Sequence, residues 1–201
     1  MYEKAYVAAD PVIFTLHDRT LKVYLKRREK EPFTGKYELP GGLVLPNETA
    51  EQTLSRKLAQ TLGKHDLYFE QFHTFSAVDR DPRERAVSVG FIALVAHEHV
   101  SDLQHWHAVE KLPALAFDHA AIIRKAQTYL REHIDTLIVK QFLPAQFPLN
   151  RLQEAYEIIE GTKYDNRNFR KKMLTSGLVV ETKTKEQGVS HRPATLYKFK
   201  R

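Results

Sequence analysis

The chain of 201 residues lacks cysteine altogether and has only two methionines and one tryptophan. Without cysteine there is no disulfide framework, no thiolate zinc site and no cysteine nucleophile. No apolar run is long enough to span a bilayer, and the N-terminus has no signal-peptide core, so we expect no membrane partner and a cytoplasmic location. The 42% of hydrophobic and 28% of charged residues are typical of a globular protein with a sizeable core.

The positive charge of the chain is unevenly distributed. Residues 1–140 hold 19 basic and 19 acidic side chains, whereas residues 141–201 hold 12 basic and 6 acidic ones, which accounts for the whole net charge of +6. A basic excess confined to one segment favours an acidic partner, and nucleic acid is the first candidate.

Hydrophobic periodicity predicts two folded regions. The first contains strands, a helix over 47–63, two more strands and a helix over 118–135, an order typical of a layered α/β domain. The second contains helices over 149–161 and 165–177 followed by two basic strands, a pattern that indicates a winged helix-turn-helix.

Two prolines, Pro144 and Pro148, lie between these regions and break regular structure. We therefore predict a first domain at residues 1–138, a linker at 139–148 and a second domain at 149–201. The basic excess then falls within the second domain.

The segment GGLVLPNETAEQTLSRKLAQTLG resembles the Nudix box, G-x5-E-x7-R-E-U-x-E-E-x-G-U, in which U is aliphatic. The matching positions are Gly42, Glu48, Arg56, Leu58 and Gly63. The preceding segments KVYLKRRE and KYELPGG resemble the strand and loop that come before the box. The resemblance covers about the first 135 residues and implies a Nudix-like α/β/α sandwich with a mixed sheet.

The chain differs from the Nudix box at the positions whose side chains bind the metal ion in the family. Lys57, Gln60 and Thr61 stand where the family has three glutamates, whose spacing on one helix face would let them converge on a magnesium ion. Lys57 would repel such an ion, and Glu48 and Glu51 lie two or more turns away. We therefore predict no catalytic residue, no metal and no cofactor, and a decayed active site that serves as a sensor pocket.

Further segments resemble NrtR, a family of Nudix-related transcriptional regulators of NAD metabolism in bacteria. They are TFSAVDRDPRERAVSVGFIALV, LPALAFDHAAII, FRKKMLTSGLV and HRPATLYKF, so the resemblance runs essentially end to end. It implies a repressor in which the Nudix-like domain binds ADP-ribose or a related nucleotide and the winged helix binds double-stranded operator DNA. Because operator palindromes mirror two-fold protein symmetry, and because the family resemblance implies it, we expect a homodimer.

Arginines and paired glycines beside the box are candidates for holding a diphosphate. Guanidinium groups match phosphate oxygens bidentately, and glycines let the backbone approach a phosphate closely. The residues predicted to bind the ligand are Arg28, Gly41, Gly42, Glu48, Arg56, Arg83 and Arg85. For the loop DRDPRER, a solvated turn with weak local salt bridges is an equally good interpretation.

In the second helix of the C-terminal region, Phe169, Met173 and Leu174 are predicted to face the core. The rest of its surface combines arginine, which suits guanine, with asparagine, which suits adenine, and with further cations for phosphate. A solvated basic face is the alternative interpretation. The residues predicted to bind DNA are Arg167, Asn168, Arg170, Lys171 and Lys172 on this helix, and His191 and Arg192 in the loop of the following hairpin.

Two other functions stay open at this point. One is a Nudix hydrolase with residual ADP-ribose pyrophosphatase activity, against which the residues at positions 57, 60 and 61 argue. The other is a Nudix-like regulator whose pocket responds to a sugar instead of a nucleotide.

Overall fold

The chain contains both strands and helices. In this computed structural model the described residues are 4–64, 67–100, 102–188, 190 and 192–200. The strands are β1 (Tyr6–His17), β2 (Thr20–Tyr24), β3 (Lys26–Arg27), β4 (Tyr37–Glu38), β5 (Gly42–Leu43), β6 (Tyr68–Phe75), β7 (Ala86–Leu94), β8 (Trp106–Ala108), β9 (Phe147–Pro148), β10 (Val179–Lys185) and β11 (Thr195–Phe199). The helices are α1 (Ala50–Leu62), α2 (His119–Glu132), α3 (Leu149–Glu160) and α4 (Asn166–Ser176), together with 3-10 helices at His97–His99 and Leu137–Phe142.

The first domain is built on a mixed sheet with the strand order β6-β7-β1-β2-β8, in which β5 also pairs with β1. Strands β1 and β7 run parallel, whereas the other neighbours are antiparallel. Successive side chains of β1 point to opposite faces of the sheet. Ala9 and Ile13 pack on the side of α1, and Val12 packs on the side of α2. The result is the predicted α/β/α sandwich.

Helix α1 carries the box that resembles the Nudix motif, and a capping box fixes its start. Thr49 Oγ1 accepts a hydrogen bond from Gln52 N (3.2 Å), and Gln52 Oε1 accepts one from Thr49 N (2.8 Å). The helix ends at Gly63, whose positive φ of 66° allows the chain to leave the helix. The observed helix begins at Ala50, whereas the predicted range of 47–63 begins three residues earlier.

Helices α3 and α4 and the sheet β10-β11-β9 form the predicted winged helix. The Asp165 side chain caps α4, and Gly177 ends it with φ at 70°. Phe169 and Met173 are buried as predicted, but the prediction that Leu174 faces the core is wrong, since it is 40% exposed. Phe169 and Met173 are four residues apart and share one face, whereas Leu174 lies about 100° further round the helix.

The segment predicted as a linker, 139–148, is packed into the protein. Val139, Phe142 and Phe147 are buried in the same hydrophobic cluster as α2 and α3, and Phe147 pairs with Tyr197 in the sheet of the winged helix. The boundaries of the two domains stay a prediction. In the part of the chain that the structure describes, no helix combines the length and the apolar character needed to cross a membrane.

The C-terminal end of helix α2 contacts the winged helix. Near its C-terminal end, Arg131 Nε donates a hydrogen bond to Ile159 O at the end of α3 (2.9 Å). Just beyond α2, Ile134 O accepts a hydrogen bond from the hydroxyl of Tyr156 (3.1 Å), which is fully buried. The core of the winged helix is therefore continuous with that on the α2 side of the sheet.

Candidate functional site

A cleft of about 600 Å³ opens beside β5 and is bounded by β3, β4, the loop before β7 and the start of α2. Its charged lining consists of the basic residues Lys26, Arg27, Arg28, Lys30, Arg80 and Arg83, and of the acidic residues Asp10, Glu29, Glu38 and Asp81. Basic side chains outnumber acidic ones, so the cleft favours an anion. Its volume is in the range of a small-molecule site.

At the cleft wall formed by β3 and β4, two basic side chains form ion pairs with Glu38. Arg28 Nη1 donates to Glu38 Oε2 at 2.6 Å, and Lys26 Nζ lies 3.2 Å from Glu38 Oε1. The Arg28 guanidinium also lies 4.8 Å from the ring centre of Phe117. The predicted ligand residue Arg28 is thus in the cleft, in a fixed orientation.

The arginines of the loop before β7 have different surroundings. Arg83 lines the cleft and is half-exposed, with a bidentate pair to Asp81 (2.7 and 2.9 Å) that lowers the pKa of Asp81 below its usual value. Arg85 lies outside the cleft and donates to the backbone carbonyls of Ser76, Ala77 and Ala86. The local salt bridge of the alternative interpretation is therefore found at Arg83, which also lines the cleft, whereas Arg85 bonds to the backbone instead.

The two predicted glycines lie in the cleft for different reasons. A Cβ atom on Gly41 would come within 1.9 Å of Asp10 Oδ1, so this position excludes a side chain. A Cβ atom on Gly42 would meet only the end of the Lys57 side chain. Because Gly42 has no side chain, the end of the Lys57 side chain can lie directly against β5.

Glu48 and Arg56 bind each other instead of lining the cleft. Arg56 Nε and Nη2 donate to the two oxygens of Glu48 at 2.8 and 2.6 Å, and Thr53 donates to the same carboxylate at 2.7 Å. The hydrogen bonds from Arg56 and then Thr53 lower the pKa of Glu48 to about 2. The pair ties the loop after β5 to α1.

Sequence reasoning missed a buried polar group at the floor of the cleft. Arg80 donates to both oxygens of Asp118 (2.8 and 3.0 Å), and its guanidinium lies 3.7 Å from Asp10. His119 Nδ1 accepts a hydrogen bond from Leu39 N (3.0 Å), so the neutral ring carries its proton on Nε2. Burial lowers the pKa of His119 below its usual value, which favours that neutral form.

Phe117 also lay outside the sequence prediction. Its backbone φ is 51°, which is rare for a bulky side chain. The guanidinium groups of Arg28 and Arg83 lie 4.8 and 5.4 Å from the centre of its ring. Nothing in the local sequence marks this conformation.

The residues at the metal-binding positions of the Nudix box differ from the glutamates of the family. Lys57, Gln60 and Thr61 occupy the three box positions, and the carboxylates of Glu38 and Glu48 are already paired with basic side chains. Across residues 4–64, 67–100, 102–188, 190 and 192–200, no three His, Cys, Asp or Glu side chains are arranged to hold a metal ion.

Helix α4 presents a basic face to solvent. Arg167, Asn168 and Lys171 are exposed, and none of their side chains has a hydrogen bond or ion pair with any residue that the structure describes. Leu174 lies on the same face, seven residues after Arg167 and three after Lys171. An apolar group there suits the methyl group of thymine.

The remaining predicted DNA-binding residues differ in their surroundings. Arg170 lies 3.4 Å from Glu181 of β10, and Lys172 lies 3.1 Å from Asp135, beyond the end of α2. Arg192 is exposed, and His191 is outside the described residues.

Family models and relatives agree with this arrangement. A model described as the NUDIX domain matches residues 7–126, and one described as the NrtR DNA-binding winged helix domain matches residues 139–199. The chain is 31% identical over 209 residues to the "ADPR responsive transcriptional repressor NtrR" of Acinetobacter baylyi, covering 98% of this chain and 83% of that protein. It is also 32% identical over 130 residues to the "ADP-ribose pyrophosphatase" of Methanocaldococcus jannaschii, covering 62% and 74% respectively.

Two solved structures of Shewanella oneidensis NrtR resemble this one. The complex with a 27mer DNA superposes with a TM-score of 0.83 at 32% identity, over 96% of this chain and 93% of that one. The NUDIX domain complexed with ADP ribose gives a TM-score of 0.55 at 34% identity, over 64% and 90%. Fold and site thus define a Nudix domain joined to a winged helix. The chain belongs to the NrtR family, which confirms the predicted fold class and family.

Proposed function

We propose that this protein is a transcriptional repressor that binds operator DNA through α4 and the hairpin β10-β11. The observation that carries the proposal is the outward face of α4, where Arg167, Asn168 and Lys171 have no protein partner among the described residues. Free guanidinium and amide groups on the second helix of a winged helix are suited to base edges in the major groove. A homodimer would match a palindromic operator, and the site of action would be the bacterial cytoplasm.

The effector in this proposal is ADP-ribose, bound in the cleft. Arg28, Gly41, Gly42 and Arg83 would contact it, whereas Glu48, Arg56 and Arg85 would hold the surrounding loops in place. The S. oneidensis NrtR domain was solved with this nucleotide, and the A. baylyi relative is ADPR-responsive. The regulated genes would belong to NAD metabolism.

We further propose that the protein is not a hydrolase. A relative from M. jannaschii is an ADP-ribose pyrophosphatase, so the enzyme alternative has a specific observation in its favour. Against it stand Lys57, Gln60 and Thr61, which supply no carboxylate to hold a metal ion. Robust release of AMP from ADP-ribose with Mg²⁺, abolished by EDTA, would overturn this part.

A binding assay on operator and scrambled duplexes tests the DNA proposal. Arg167→Ala should cost about 1–3 kcal/mol on the operator and little on scrambled DNA, whereas Lys171→Ala should weaken binding to both. Lys125→Ala, an exposed lysine of α2 in the other domain, is the matched control and should have no effect. If Arg167, Asn168 and Lys171 are replaced together without loss of operator affinity, α4 is not the reading helix.

A thermal-shift assay tests the effector. A ligand that binds the native state alone raises the melting temperature by mass action, so ADP-ribose should stabilise the protein. Arg83→Ala should reduce the shift. A shift with a pentose and none with ADP-ribose would favour the sugar-responsive alternative.

A further inference from the structure

The side chain of Lys57 lies against the wall of the cleft. A Cβ atom built on Gly42, which lines the cleft, would come within 2.5 Å of Lys57 Cε and 3.0 Å of its Nζ. Lys26 and Glu38, which also line the cleft, are among its charged neighbours. The ammonium is therefore next to residues that line the cleft, although Lys57 itself is not one of them, and it stands at one of the box positions where the Nudix motif has glutamate.

This ammonium is unpaired within the part of the chain that the structure describes. No hydrogen bond or ion pair joins it to any residue in the described ranges. The nearby carboxylates of Glu38 and Glu48 are held by Arg28 and Arg56 respectively, at 2.6 Å in each case. Burial, followed by the charges of Lys26 and Arg56, lowers the pKa of Lys57 below its usual value. A half-buried cation among other cations is a group that an anion would stabilise.

We propose that the Lys57 ammonium binds a diphosphate oxygen of the nucleotide in place of a divalent cation, so that the cleft holds ADP-ribose without Mg²⁺. The inference rests on the proposed function, since it concerns the same cleft and effector. Three carboxylates at positions 57, 60 and 61 would repel a diphosphate unless a metal lay between them. Lys57 reverses the sign of that charge directly and makes the metal unnecessary.

Lysine in place of glutamate at position 57 also affects diphosphate binding and hydrolysis differently. An ammonium neutralises phosphate oxygens and donates hydrogen bonds to them, as a metal ion neutralises them. It does not generate a metal-bound hydroxide at neutral pH. One residue can therefore keep the affinity for the diphosphate and remove the means of hydrolysing it.

Calorimetric titration of the full-length protein with ADP-ribose, in EDTA and in millimolar Mg²⁺, tests the proposal. The wild-type dissociation constant should be the same within about twofold in both buffers. Lys57→Met, which keeps the length of the side chain, should weaken binding about tenfold or more in both. Lys57→Arg should keep most of the affinity, and Lys125→Met is the control for loss of one positive charge away from the cleft.

The outcomes distinguish the inference from the function on which it rests. If the wild type binds ADP-ribose only with Mg²⁺, or if Lys57→Met binds as tightly as wild type, the role given to Lys57 is wrong while ADP-ribose remains the effector. If the wild type binds no ADP-ribose in either buffer, the effector assignment itself fails. Unfolding curves of the free variants show whether each one is folded, and the wild-type comparison in EDTA and in Mg²⁺ can still overturn the proposal if Lys57→Met is not.

Discussion

At Gly41 the backbone of the cleft approaches β1 too closely for any side chain. A Cβ atom would lie 1.9 Å from Asp10 Oδ1 and 2.7 Å from the backbone oxygen of Ala9. Asp10 cannot move easily, because it is buried and accepts a hydrogen bond from Ser88 Oγ at 2.5 Å. Gly41→Ala should therefore lower the free energy of unfolding by about 1–3 kcal/mol, as overpacked sites do, measured by urea denaturation.

Gly42→Ala is the matched control for this prediction. Its Cβ atom would meet only Cε and Nζ of Lys57, the far end of a flexible side chain that can swing aside. We expect a much smaller loss of stability. Equal destabilisation by the two substitutions would contradict the account of Gly41.

Individual residues of the cleft differ in whether their roles could be predicted from the sequence. Gly41 is predicted from the sequence to let the backbone approach a phosphate, and that stays a prediction; the close approach that the structure shows is to Asp10 and Ala9 of β1. Arg80 belongs to the loop DRDPRER considered as a diphosphate clamp, but its burial was not predicted, because its partner Asp118 is 38 residues away and nothing local indicates it. The bond between His119 and Leu39 spans 80 residues and has no local signal either.

At the scale of elements, local signals predicted most of the architecture. Alternation on the strands, helical spacing and terminal glycines are properties of short segments, and they placed the helices within a few residues of the observed bounds. For residues 139–148, where Pro144 and Pro148 interrupt regular structure, the local signals did not predict that Val139, Phe142 and Phe147 are buried. Their burial depends on surfaces supplied by α2 and α3, which only the folded chain brings together.

The turn between α3 and α4 yields a pH prediction. Glu157 accepts hydrogen bonds from Lys163 (2.8 Å), Gln153 (3.0 Å) and the backbone N–H of Tyr164 (3.1 Å). These contacts, with Lys163 first, lower its pKa from 4.5 to about 2. Since the folded-state pKa is depressed, the stabilisation is present above pH 4.5 and is lost as the pH falls towards 2.

Glu157→Gln should therefore be less stable than wild type at neutral pH, and the difference should narrow between pH 4.5 and 2. Urea denaturation at several pH values measures it. Glu154→Gln on the same helix is the control, because its carboxylate is more exposed and, among the described residues, shares with Glu157 only the neighbour Arg19, at 3.4 and 3.6 Å respectively. A difference that stays constant with pH would show that the charge of Glu157 does not hold this turn.

At the scale of the whole molecule, α2 connects the cleft to the winged helix. Asp118, just before α2, is bound by Arg80 at the floor of the cleft. The helix has 14 residues and is about 21 Å long, and near its other end Arg131 binds the carbonyl of Ile159. A ligand that shifts the start of α2 would act on α3 through a rigid element with contacts at both ends. Coupling of this kind is a free energy and must be reciprocal.

Arg131→Ala tests whether this connection carries the response. We expect the ratio of operator affinities without and with ADP-ribose to approach one. The affinity for ADP-ribose in the absence of DNA should stay within about twofold of wild type, since Arg131 lies outside the cleft. Arg124→Ala, an exposed arginine of the same helix, is the control and should keep the full ratio. Both affinities are measured at one fixed salt concentration, because DNA binding depends steeply on salt. Since the coupling is reciprocal, operator DNA should also lose its effect on ADP-ribose affinity in Arg131→Ala, and an unchanged ratio in either direction would mean that the signal does not pass through this end of α2.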